Sequence, residues 1–156
     1  IDALSAGANP PKDINVVITC EKGKNIFYSY DPDSEMFVFE KSMPISLNYG
    51  FVPKTHQETE ELDAVIVSES SFNLGTVVSS KPIGMVRSSG KAPDNVIIAV
   101  LKTDKMKDIK ELADNTLKSI KEFLEHIKGQ KFDDVLGPEK AEKSIEISIE
   151  RYERLD

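Results

Sequence analysis

The sequence predicts an α+β fold: a small closed or partly open β-barrel flanked by two C-terminal helices. Three observations predict it. Short β-branched runs recur at roughly ten-residue spacing over residues 14–100, with turn-forming residues between them. Beyond residue 103 the apolar period changes from about two to about 3.6. The length of 156 residues, 39% of them hydrophobic and 30% charged, suits one core and a single domain spanning the chain.

The elements follow in order. Residues 1–13 are small, polar and proline-containing, which predicts an extended arm. Ile14-Asn15-Val16-Val17-Ile18 is the first strand. Residues 25–40 read as a β-hairpin turning at Asp31-Pro32-Asp33-Ser34. Strands follow at 62–67, 76–78, 83–86 and 95–100. Ile109, Leu112, Thr116, Ile120, Phe123 and Ile127 then fall three or four apart, predicting a helix over about 106–128 that ends at Gly129. A second helix over 138–152 starts at Pro138, which a first turn tolerates, with Ala141, Ile145, Ile149 and Tyr152 on its apolar stripe. Ile145, Ile147 and Ile149 also alternate as in a strand, but the charges around them favour helix.

Composition excludes several functions. A formal net charge of −7 and a pI near 5.0 argue against nucleic-acid binding, which needs clustered Lys and Arg. Lys102, Lys105, Lys107 and Lys110 are offset by Asp104, Asp108 and Glu111. No apolar run nears the ~20 residues of a membrane helix, so membrane insertion is not expected. One cysteine, Cys20, permits neither an internal disulfide nor a cysteine metal cage, and it reads as a half-buried strand residue. The opening residues lack the pattern of a signal peptide. A soluble intracellular protein is expected, cytoplasmic or, if a targeting segment preceded Ile1, of the mitochondrial matrix. His56 reads as an exposed loop residue and His126 as a helix C-terminal residue favourable to the dipole. Neither has a partner for a nucleophilic triad.

The carboxylates are where chemistry concentrates. Glu58, Glu60, Glu61 and Asp63 stand before and within a strand. Alternation puts Glu58 and Glu60 on one face, with Asp63 a step further on. Oxygen ligands of this kind suit Mg²⁺, although taken alone such a run more often reads as a solvated acidic loop.

A wider pattern bears on that choice. Asp13 to Ile18, then Tyr28 with Asp31 and Ser34, Asn48-Tyr49-Gly50-Phe51-Val52-Pro53, Leu62 to Val67, and Lys81-Pro82-Ile83-Gly84-Met85 resemble, in order and spacing, the soluble family I inorganic pyrophosphatases. The segment Glu122 to Lys128 is similar to the helix motif of that family. The resemblance covers about residues 9–152. It implies a small OB-like barrel with two helices and Mg²⁺-dependent hydrolysis of pyrophosphate to two phosphates. In such a reaction several metal ions neutralise phosphate charge and generate hydroxide, while cations and tyrosines clamp the substrate.

Carried over position by position, the resemblance implies an eroded site. The main metal loop, Asp-x-Asp-Pro-x-Asp in the family, falls on Glu58, Glu60, Glu61 and Asp63, with Glu60 at the general-base position. A later Asp-Glu pair falls on Ser89-Gly90, and the acid beyond it on Asp94. An early Glu becomes Thr19. The Lys-Tyr-Glu segment reads Phe27-Tyr28-Ser29, the arginine is Lys41, a lysine is Val96, and the helix Tyr-Lys pair is Ile127-Lys128. The surviving metal positions are Glu58, Glu60, Asp63 and Asp94. The surviving catalytic positions are Glu60, Tyr49, Lys41 and Lys128.

Each lost electrostatic stabiliser costs about 10²–10³ in rate, though such losses do not add. The expectation is a weak or inactive pyrophosphatase relative with doubtful Mg²⁺ binding, serving as a binding or structural subunit of a homo-oligomer or larger assembly. The alternative is a genuine Mg²⁺-dependent diphosphatase with a rearranged site.

Overall fold

The computed structural model describes residues 4–58 and 60–155. Seven strands precede the first helix: β1 (Ile14–Cys20), β2 (Ile26–Asp31), β3 (Met36–Ser42), β4 (Asn48–Gln57), β5 (Glu60–Ile66), β6 (Val77–Arg87) and β7 (Asn95–Leu101). Then come a 3₁₀ turn at Ile109–Glu111, α1 (Asp114–Lys128), a short strand β8 (Asp134–Leu136) and α2 (Pro138–Glu153). Strands run in the order β1-β4-β5-β7-β6-β8, and a further β1–β6 pairing closes five of them into a barrel. The predicted barrel with two helices is therefore present. Closure leaves those five strands without free edges, while β2 and β3 form a separate two-stranded hairpin.

Alternation along the strands makes two apolar clusters. Ile14, Val16, Val52, Leu62, Ile97 and Ala99 belong to one, which α2 joins through Ala141 and Ile145. Tyr49, Val65, Val96 and Ile98 belong to the other, with Ile120, Phe123 and Leu124 of α1. Neighbouring residues of β7 go to different clusters, as successive side chains of a strand must. Gly50 is obligatory here: a Cβ at that position would collide with the Val17 carbonyl of the paired strand.

Several expectations change in detail. Residues 4–13 are not an extended arm. They turn back, with the amides of Lys12 and Asp13 donating to the Asn9 carbonyl and with Ala6 and Asp13 buried; residues 1–3 of that arm lie outside the described residues. The 76–78 and 83–86 runs form one strand with an irregularity between Pro82 and Gly84. The first helix starts at Asp114 rather than 106. Asp108 and Glu111 make a capping box on the 3₁₀ turn, and Leu112 and Ala113 are extended, which ends that turn before α1 begins. Cys20 is fully buried rather than half-buried. His56 lies in β4, half-buried, rather than in a loop.

Candidate active site

Barrel register builds the site. Phe51 pairs with Asp63 and Tyr49 with Val65 across β4 and β5, so Tyr49 and Asp63 are diagonal neighbours on one face. This is the face of Val65, the one α1 covers. On the other side of β5, Asp63 pairs in parallel with Val96 of β7. Asp94, two residues earlier, is brought to the same end of the barrel. Lys128 is the last residue of α1 and reaches over both acids.

Contacts among these groups are short. Lys128 Nζ is 2.7 Å from Asp63 Oδ2 and 2.7 Å from Asp94 Oδ2. The Tyr49 hydroxyl donates to Asp63 Oδ2 at 2.6 Å. Gln57 Nε2 donates to Asp94 Oδ1 at 2.9 Å. The three charged side chains are only 11–19% exposed, so water screens the pairing little. Burial alone would lower the pKa of Lys128, but Asp63 and Asp94 outweigh it and hold the ammonium well above the ordinary lysine range. Burial, reinforced by the negative charge of Asp63, pushes the Tyr49 phenol well upward, so it stays a hydrogen-bond donor.

A cavity of about 320 Å³ opens beside this cluster, lined among others by Thr19, Phe27, Ser29, Glu60, Glu61 and Gln130. Burial and then Asp63 raise the pKa of both Glu60 and Glu61. Five of the residues singled out in the sequence thus share one cavity: Tyr49, Glu60, Asp63, Asp94 and Lys128. Thr19, Phe27 and Ser29, the positions where the resemblance implies lost acids and a lost cation, line it too.

Two candidates lie elsewhere. Glu58 is exposed in the β4–β5 turn at φ 54°, beside His56 and Arg151. Strand alternation cannot carry it to Glu60, because the ladder resumes with Gln57 opposite Glu60. Lys41 is exposed on β3, with Nζ 5.9 Å from the centre of the Phe27 ring, and does not line the cavity. Conversely, sequence reasoning did not single out Gln57 or count Glu61 as a site residue. Gln57 follows three polar or charged residues at a strand end, and nothing in its spacing marks it.

A family model described as inorganic pyrophosphatase matches residues 16–153. The chain belongs to the inorganic pyrophosphatase family. It is 33% identical over 173 residues to the inorganic pyrophosphatase of Bradyrhizobium diazoefficiens, a match covering 99% of this chain and 97% of that one. It is 34% identical over 137 residues to that of Saccharolobus solfataricus, covering 80% of each. The crystal structure of the inorganic pyrophosphatase from Thermus thermophilus superposes with a TM-score of 0.86 at 25% identity, covering 97% of this chain and 98% of that one.

In this arrangement Asp63 and Asp94 of this pyrophosphatase-family chain do not form a site for the Mg²⁺ that the family implies. Asp63 and Asp94 each give one oxygen to the Lys128 ammonium, which already supplies the positive charge between them. Among the described residues no three His, Cys, Asp or Glu side chains are grouped to hold an ion. A near-octahedral ion needs several oxygens directed at one point, and these two point at nitrogen. No helix of the described residues is long and apolar enough to cross a membrane.

Proposed function

We propose that this chain is a pyrophosphatase-family protein with an internally neutralised site, hydrolysing pyrophosphate weakly or not at all and acting as a binding or structural subunit. One observation carries the reading: the Lys128 ammonium bridges Asp63 and Asp94 at 2.7 Å to each. A cation in that position repels a metal ion, and it ties up a lysine that would otherwise meet phosphate. Thr19, Phe27 and Ser29 at the cavity wall add neither acid nor cation. Exposed Met36, Val38 and Phe39 on the β2–β3 hairpin support association with a further copy or another protein. The buried lone thiol and the bacterial and archaeal relatives favour a reducing, cytoplasmic setting, and nothing favours the mitochondrial matrix over it.

Phosphate release from pyrophosphate with excess Mg²⁺ tests the reading. The expected rate lies at least ~10³-fold below that of an active family member, against the ~10–10³ per second of ordinary enzymes. Turnover within that range would overturn it.

A second reading, a genuine diphosphatase with a rearranged site, draws on Glu60 and Glu61. With Asp63 and Asp94 they make four carboxylates around one cavity. It requires Lys128 to leave the gap between the aspartates, and the same assay separates the two.

A further inference from the structure

Helix α2 has three sides. Ala141, Ile145 and Ser148 are buried against the barrel. Glu139, Glu142, Glu146 and Glu150 form a second stripe, from which Glu142 holds Lys12 at 2.7 Å. The third stripe is Lys140, Lys143, Ile147 and Arg151, spaced three and four apart. It faces Arg87 of β6 across a cavity of about 220 Å³ whose lining contains four cations and no carboxylate.

This clustering runs against the character of the chain. The protein carries a net −7, yet Arg87, Lys140, Lys143 and Arg151 converge, and none of them makes an ion pair with a described residue. Lys140 and Lys143 are like charges one helical turn apart, and Glu139 and Glu146, four before and three after Lys143, offset that pair within the helix but do not line the cavity. Arg87 is also held in place. Its Nε donates to Asn95 Oδ1 at 2.8 Å, which leaves the two Nη groups for a ligand. Asn95 Nδ2 in turn lies 3.5 Å from the buried Ser144 hydroxyl. The cavity shares a wall with the Lys128 cluster through Gln57, which lines it and also bonds Asp94.

We propose that this cavity is a second binding site, separate from the Asp63–Lys128–Asp94 cluster, for a phosphate-rich anion: an inorganic di- or triphosphate or the polyphosphate end of a nucleotide. Two guanidinium groups match phosphoryl oxygens with paired donors, and two ammonium groups add charge where a multiply negative ligand needs it. A single carboxylate would leave most of these cations uncompensated.

Titration with tripolyphosphate and with ATP in low-salt, metal-free buffer, followed by amide and side-chain NMR shifts, tests the proposal. Saturable shifts are expected at Arg87, Asn95, Ser144 and Arg151, with the Gln57 side-chain amide responding at the shared wall. The exposed double substitution Lys143→Ala with Arg151→Ala should weaken binding about 10-fold or more. Lys105→Ala with Lys107→Ala, equally cationic but remote, should not. Equal affinity for both ligands assigns recognition to the phosphates alone, and tighter ATP adds a contact to the nucleoside, for which Ile147 is placed. Shifts confined to Tyr49, Asp63 and Lys128 would overturn the proposal. So would affinity unchanged by the Lys143/Arg151 pair, or the absence of saturation.

Discussion

The Lys128 ammonium stands 2.7 Å from the Asp63 carboxylate, joining the end of α1 to β5 across 65 residues of sequence. Asp94 completes the bridge on the other side. Removing the cation leaves two buried acids facing each other, so Lys128→Met should destabilise the fold by roughly 3 kcal/mol. Lys128 has a raised pKa in the folded state. Its contribution is therefore complete below the unfolded value of about 10.4 and is lost as pH rises beyond it. Urea unfolding at pH 7 and pH 11 should show a gap between wild type and Lys128→Met that narrows at the higher pH. No difference at pH 7 would mean the bridge contributes nothing in solution.

Tyr49→Phe removes one donor to Asp63 while Lys128 keeps the other. The cost should be about 1.5 kcal/mol, near the low end for a hydrogen bond to a charged group. A urea midpoint equal to wild type would place the hydroxyl elsewhere.

Glu61 is half-buried at the cavity, and burial followed by Asp63 raises its pKa. For an acid with a raised folded pKa, ionisation opposes folding, so the penalty is absent below the unfolded value of about 4.3 and grows as pH rises through the folded one. Glu61→Gln should therefore stabilise at pH 7, by less than ~1 kcal/mol because the group is partly solvated, and leave stability unchanged at pH 4. Destabilisation at pH 7 would show that the ionised Glu61 carboxylate favours folding.

Cys20 is fully buried, and burial pushes its thiol up to about 11. Only about one part in 10³ is thiolate at pH 8, and reagents cannot reach it. Alkylation should await global unfolding, so the modification rate in increasing urea should follow the unfolding curve. Prompt reaction in native buffer would show that β1 opens locally.

Much of the barrel was legible because β1 and β7 carry dense β-branched runs and β5 runs into Val65-Ile66-Val67, and the hairpin because Asp31-Pro32-Asp33-Ser34 punctuates two aromatic stretches. Strand β4 was harder to read. Gly50 and Pro53 interrupt it, and its first six residues are all buried, so no alternation shows. The start of α1 was masked because Ile109 and Leu112 continue its apolar spacing although the backbone is broken between them and Asp114. At the site, Asp63, Asp94, Tyr49 and Lys128 could each be singled out by position. That Lys128 bridges the two acids depends on the α1 docking angle, which no local spacing encodes. Glu58 lies apart from the cavity because a turn interrupts the strand alternation between it and Glu60. The cationic stripe of α2 is visible in the spacing of Lys140, Lys143 and Arg151, but Arg87 joins it only through the fold.

Lys128 takes the cationic position between Asp63 and Asp94. Titration calorimetry of the wild-type protein with Mn²⁺ and Mg²⁺, without pyrophosphate, measures this most directly. No saturable binding is expected below the millimolar range for either ion. One or more micromolar sites, lost on Asp63→Asn, would show that the aspartates hold metal in preference to Lys128 and would contradict that placement.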